Sequence, residues 1–432
     1  MKKALAVLGI FATSGMLLTG CGSGSGATTI TVWTWRSQDK QLWQQVQDAL
    51  NQKGENIKIS FRPVQPTSYD SVLQTAMDGG KGPDIMYTRA GEGTLKYAAA
   101  NMLKPLDNVV NFSSINNKAS LQSAQYQGKT YGVPFAIQTM EIFYNKDIFA
   151  KYNLQPPKTW DDFIHICQVL KQNGVTPIST MGIQSWMLAL NFDEVGATFL
   201  GNDFTKKLVA KEAKYTDPPY VDALAHYQQL ADYFEPNFKA VGSGGNEQET
   251  DFALGKSAMV MDGIFDVPTI QKDNPNIHMG AFLVPPAKSN QQTKIDWYVD
   301  GNIAMNNNIK DPKVEKAAED IMKFVGSQPF GQDFSNIAGE ISPISGVSIP
   351  SKYPLSIQAY QWYQQEAINP IFGIRSPMDT PPPTPVTSSK SVNDDNGIFS
   401  AEQKVLLPLL TKQKTPEQAA QDIQNTLSWY FK

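Results

Sequence analysis

At 432 residues the chain exceeds what one hydrophobic core serves, so at least two domains are expected. Its 41% hydrophobic and 18% charged residues are ordinary for a globular protein. The formal net charge is −4, and no basic patch points to a nucleic-acid partner.

Lys2-Lys3 and the apolar run from Ala4 to Leu18 read as a secretory signal, too short for a retained membrane span. The run ends in Leu18-Thr19-Gly20-Cys21, which resembles a bacterial lipobox. That resemblance implies removal of residues 1–20 and a lipid on the Cys21 sulfur; the alternative is an ordinary signal with a chance cysteine. Residues 21–28 are then a flexible Gly/Ser tether. Cleavage takes Lys2 and Lys3 from the 37 basic residues, leaving 35 against 41 acidic, a net charge of −6. Cys167 alone remains besides the anchor. It lies on an apolar helical stripe and reads as a buried thiol, so no disulfide is available to the mature chain.

Thr29 to Trp33 predicts a strand, followed by a helix that Ser37 can cap and whose inner face is Leu42, Val46, Ala49 and Leu50. Ile57, Ile59 and Phe61 alternate as a second strand. Ser68 precedes a further helix with Tyr69, Val72, Leu73, Ala76 and Met77 inward, and Ile85 to Tyr87 is a third strand. This β-α-β-α-β order calls for a mostly parallel sheet with helices on its faces. Ligands bind beyond the carboxyl ends of such strands, here at Trp35-Arg36-Ser37-Gln38 and at Thr88-Arg89.

A hairpin signal at Gly128-Lys129 leads into an extended run in which Met140, Ile142 and Tyr144 alternate with Thr139, Glu141 and Phe143. Asn145 can cap a short helix through Tyr152. Thr159 starts another with Asp162 three residues on, and Trp160, Phe163, Ile164, Cys167 and Leu170 form its stripe. Val133-Pro134-Phe135, Tyr144-Asn145-Lys146-Asp147 and Pro156-Pro157-Lys158-Thr159-Trp160 together resemble the first lobe-to-lobe crossing of bacterial extracellular solute-binding proteins. The likeness is to the maltose-binding-protein-like group that serves carbohydrate ABC importers.

The resemblance implies an α/β, two-lobed periplasmic-binding-protein-like (type II) fold, each lobe a sheet flanked by helices, with the ligand cleft at the hinge. It implies one lobe from 28–137 plus 303–350 and the other from 138–302 plus 351–432. Trp297 to Met305 is a second extended run, with Asp300-Gly301-Asn302 as the return crossing. Asp311-Pro312 opens a helix, and Gly339-Glu340-Ile341-Ser342-Pro343 precedes the third crossing. Thr415-Pro416-Glu417-Gln418 is a capping box. Pro377 to Pro385 reads as a surface loop.

The resemblance also implies the ligand contacts. They are Trp35, Arg36, Ser37, Gln38, Thr88 and Arg89 on the first lobe and Gln138 on the crossing strand. Beyond it come Trp186, Asp262, Phe265, Trp297, Asp300, Gly301 and Glu340. Each aromatic has core packing as its alternative, and Gln138 a hinge hydrogen bond. Phe265 stands where the family commonly has Trp. Only four arginines occur, Arg36, Arg62, Arg89 and Arg375. Arg36 and Arg89 can pair with local carboxylates such as Asp39 or Glu92, grip the hydroxyls of a neutral sugar, or clamp an acidic one.

Enzyme signals are poor. His165, His226 and His278 are scattered, and neither metal-ligand spacing, nor a nucleophile elbow, nor a phosphate-cradling glycine motif occurs. The expectation is therefore a monomeric, lipid-anchored receptor on the outer face of the bacterial cytoplasmic membrane. It needs no cofactor, captures a sugar or oligosaccharide by hinge closure and hands it to the permease subunits of an ABC importer. A receptor for a non-sugar solute, a surface glycan-active enzyme and an adhesive lipoprotein are the rivals.

Overall fold

The computed structural model describes residues 26–115, 117–368 and 397–432. The signal segment, Cys21, Arg375 and the Pro377–Pro385 loop lie outside those residues.

Two sheets organise the chain. The first contains β1 (Thr28–Thr34), β2 (Ile57–Pro63) and β3 (Ile85–Arg89), with β1 pairing parallel to both of the others. A small hairpin, β4 (Gln125–Tyr126) and β5 (Lys129–Thr130), then leads to β6 (Val133–Pro134). The turn of that hairpin is Gln127-Gly128, one residue earlier than the sequence signal suggests. Both of its residues take positive φ, +48° and +76°, which only a primed turn demands.

The second sheet is built on β7 (Ile137–Asn145), with β8 (Thr176–Ser179), β9 (Ser257–Gly263), β10 (Met279–Phe282), β11 (Ile295–Val299) and the short β13 (Ala367–Ile368). Between the last two, β12 (Gly301–Met305) returns to the first sheet, antiparallel to β3 and β6. The chain therefore passes between sheets with Phe135-Ala136 alone between β6 and β7, and Asp300 alone between β11 and β12. After the helix Gln328–Ala338, Gly339 at φ +72° turns the chain, and Ile341 bridges back to Ile137 at the start of β7. Three connections thus run side by side at one place.

Each sheet has its own core. Ile30, Val32, Leu42, Tyr87, Phe135, Ile303, Ile321 and Phe334 belong to one; Ile142, Phe163, Cys167, Phe192, Tyr227, Met259, Leu406 and Ile423 to the other. The alternation along β7 separates two apolar faces, not an apolar from a wet one. Ile142 joins the large second core, while Phe143 packs with Phe252, Val260 and Ile270 beneath the opposite face.

Several helix starts follow the caps read from sequence. Asn145 accepts from the N–H groups of Asp147 and Ile148, Asp311 accepts from Lys313, and Thr159 and Thr415 form complete capping boxes. Two do not. Ser37 starts a 3-10 turn and the α-helix begins at Lys40, because Asp39 is held inward by Arg36. The next helix begins at Pro66, two residues before Ser68, since proline at the first helical position loses no hydrogen bond.

Candidate functional site

The carboxyl end of β1 delivers Arg36 into the place where the sheets meet. Burying a guanidinium is costly unless its charge is matched, and here each of its three nitrogens donates to a carboxylate. Nε donates to Asp39 at 3.0 Å, Nη1 to Asp300 at 3.3 Å and Nη2 to Glu340 at 2.6 Å. Phe135 and Phe334 flank the guanidinium, each ring centre 5.5 Å from its carbon. Burial lowers the Arg36 pKa, but the three carboxylates outweigh it and hold the cation well above its ordinary range.

Glu340 is equally buried, and burial pushes it up to about 7 against the pull of Arg36. Its second oxygen accepts from Gln138 Nε2 at 2.5 Å. Asp39 also accepts from the Tyr87 hydroxyl at 2.8 Å, which in turn accepts from the Trp43 indole. Arg36, Asp300, Glu340 and Gln138 thus tie all three sheet-to-sheet connections into one polar network.

Arg89 covers the next position. Its guanidinium carbon lies 3.8 Å from the centre of the Trp35 ring, with Nε 3.4 Å from Asp70 and Nη1 3.9 Å from Asp300. Arg89 thus pairs with the carboxylates of Asp70 and Asp300. Trp35 meets Tyr69 and Tyr87 edge-on, and a Cβ at Gly301 would stand 2.8 Å from its ring and 2.6 Å from the Thr88 carbonyl. Glycine is needed at 301 for that approach. The Thr88 hydroxyl is shared with Thr94 and Asn302. Ser37 and Gln38 are exposed beside this group.

On the second sheet, Trp186 and Phe265 are half-buried and pack in one cluster with Met140, Met181 and Tyr298. The Trp186 indole donates to Gln184 at 3.0 Å. Phe265 lies flat across Gly263, where any side chain would meet its ring. Asp262 is buried, accepting from Gln248 Nε2 at 2.9 Å and from the Gly263 N–H at 2.8 Å. Asp266 follows, half-buried, and feels the charge of Arg36, which relates this group to the arginine network. Trp297 stands apart. It is buried against Tyr363, 5.3 Å between ring centres, in a separate cluster with Ile137 and Ile341. A concavity of about 190 Å³ between Pro343 and Tyr363 is lined by none of the residues expected from sequence.

Sequence reasoning offered Asp39 as a partner of Arg36, three residues away, and the structure pairs them; it passed over Tyr87, Glu249 and Asp266, which become neighbours only through the fold. The arrangement offers flat aromatics, buried hydrogen-bonding groups and fixed charges. Among the described residues it assembles no activated nucleophile.

A family model described as bacterial extracellular solute-binding protein matches residues 34–329. An uncharacterised ABC-transporter extracellular-binding protein of Pyrococcus horikoshii is 27% identical over 315 residues, 71% of this chain and 69% of that protein. The multiple sugar-binding protein of Streptococcus mutans is 22% identical over 364 residues, 82% of this chain and 85% of its own. Among solved structures, a chitin oligosaccharide binding protein superposes with a TM-score of 0.74 at 21% identity, covering 93% of this chain and 98% of its own.

Proposed function

The chain belongs to the bacterial extracellular solute-binding proteins, and from that premise we propose that it captures a neutral sugar or oligosaccharide and presents it to an ABC importer. A sugar has apolar C–H faces and a rim of hydroxyls, so its receptor needs flat rings beside hydrogen-bonding groups. The observation that carries this reading is the half-exposed pair Trp186 and Phe265 set beside two acceptors, the buried Asp262 and the half-buried Asp266. Leaving one sugar hydroxyl unpaired on burial costs about 1–3 kcal/mol, which is where discrimination arises. The names of the Streptococcus mutans relative and of the chitin oligosaccharide binding protein support the same class.

The engaged arginines argue against an anionic solute. A uronate or phosphate would have to displace Asp39, Asp300 and Glu340 from Arg36, or Asp70 from Arg89. We assign Trp186, Phe265 and the exposed Ser37 and Gln38 to ligand contact. Trp35 and Arg89 join them if the stacked pair opens. Gln138, Asp300, Gly301 and Glu340 serve the hinge. Closure works because a ligand touching both lobes binds only the closed form and shifts the equilibrium toward it. The permease reads that form, and a lipid on Cys21 keeps the monomeric receptor at the outer face of the membrane. A thermal-shift screen of the chain from residue 22 onward against neutral oligosaccharides and their uronate counterparts tests the reading. Ligand at 100 times Kd adds about 2.7 kcal/mol. Stabilisation by uronates alone would overturn the neutral-sugar assignment.

A further inference from the structure

Side chains alternate along the connecting strands, so the hinge has two faces. Gln138, Met140 and Tyr298 point to the face that carries Trp186 and Phe265. Ile137, Trp297 and Val299, their neighbours in the β7–β11 ladder, point to the other. Glu340 and Ile341 divide in the same way, Glu340 accepting from Gln138 while Ile341 packs with Ile137.

The concavity of about 190 Å³ lies on this second face, with Ile137 and Ile341 between its two walls. One wall belongs with the first sheet. Asn117 caps the helix Lys118–Gln122, and the Ser123 carbonyl at the end of that helix accepts from the Gly91 N–H at 2.7 Å and from Asn302 of β12 at 3.2 Å. The other wall belongs with the second sheet. Tyr363, on the helix Pro354–Glu366, rests against Trp297 of β11 and stacks with Tyr360, 6.3 Å between ring centres. From one wall to the other, Asn117 Nδ2 donates to the Tyr363 hydroxyl. The pair is separated by 246 residues, so no sequence pattern announces it.

Two bodies that turn about shared connections move in opposite senses on the two faces of those connections. A rotation that brings Trp186 and Phe265 toward Ser37 and Gln38 therefore draws Tyr363 away from Asn117. We propose that the Asn117–Tyr363 bond is a latch behind the hinge that opposes closure, so that two residues outside the ligand cleft set the affinity of the receptor. This rests on the closing-lobe reading above. Where the closed form is the minor one, apparent affinity scales with its population, and each factor gained in that population is a factor gained in affinity. One ordinary hydrogen bond shifts such an equilibrium by about two- to tenfold. Neither residue has to touch the sugar to do this.

The experiment measures the distance between the lobes by double electron–electron resonance, in the chain from residue 22 onward. Spin labels go on Gln41→Cys and Ile183→Cys, both at exposed positions, while the native Cys167 is buried. Two variants of this labelled parent release the latch. Tyr363→Phe keeps the ring against Trp297 and removes the acceptor; Asn117→Ser keeps a helix cap and withdraws the amide donor. Without any sugar, each variant should raise the short-distance population about two- to tenfold over the parent. Unchanged distances in both folded variants, or a shift to longer ones, would overturn the latch. A neutral oligosaccharide that raises the unfolding temperature, added to saturation, separates this outcome from failure of the closure reading. Shortening of the parent with both variants unchanged in the absence of sugar removes the latch and leaves closure standing. No shortening of the parent at saturation removes both.

Discussion

Arg36 is the residue on which the interior of the site turns. Its three carboxylate partners come from positions 39, 300 and 340, so one side chain joins distant parts of the chain. Breaking such a buried cluster by removing one member leaves uncompensated charge. We expect Arg36→Gln to lower stability by about 3–5 kcal/mol in urea unfolding. A loss below 1 kcal/mol would mean that water already screens the network. Trp186 differs because it is half exposed. Trp186→Ala should weaken oligosaccharide binding by about 0.5–1.5 kcal/mol beyond lost burial, with little change in the unfolding midpoint. A large drop in midpoint with affinity intact would make it a core residue. The sequence could offer Asp39 as a partner for Arg36, since three residues separate them. Asp300 and Glu340 could not be read as its partners, because only the third dimension brings them within reach. The Arg89–Trp35 stack was hidden for the same reason.

At the scale of elements, local chemistry was the most readable. Asn145, Thr159, Asp311 and Thr415 cap their helices because a side-chain oxygen one turn from free N–H groups needs nothing from the rest of the fold. Ser37 failed because a competing local pairing, the grip of Arg36 on Asp39, reset the helix start. Another element end depends on burial. Glu235 accepts from the Thr180 N–H through both oxygens at 3.3 Å, holding the end of β8, and burial raises its pKa to about 7. The folded state therefore binds this proton more tightly than the unfolded chain, whose value is near 4.5. The resulting stability is fully present below pH 4.5 and is lost as pH rises through about 7. Glu235→Gln should flatten the stability–pH curve across that window by about 1–3 kcal/mol. Parallel curves for the two proteins would show that Glu235 ionises normally.

At the scale of the whole molecule, the parallel strand order of the first sheet was legible from its β-α-β-α-β spacing. The two-lobed plan came from the likeness of three short pieces around the first crossing. What could not be read was how closely the crossings lie together, with Ile341 bridged to Ile137 and Asp300 alone between β11 and β12. Anchoring is testable at this scale too. Mass spectrometry of the protein from its native membrane should find a lipidated amino-terminal Cys21, and Cys21→Ala should release the chain; membrane retention unchanged in that variant would refute the anchor.

The central claim is capture of a neutral oligosaccharide by closure of two lobes about this hinge. Small-angle X-ray scattering of the chain from residue 22 onward, titrated with a neutral oligosaccharide that raises its unfolding temperature, tests it most directly. The account predicts a saturable fall in radius of gyration that tracks ligand occupancy. A radius unchanged at full occupancy would contradict it.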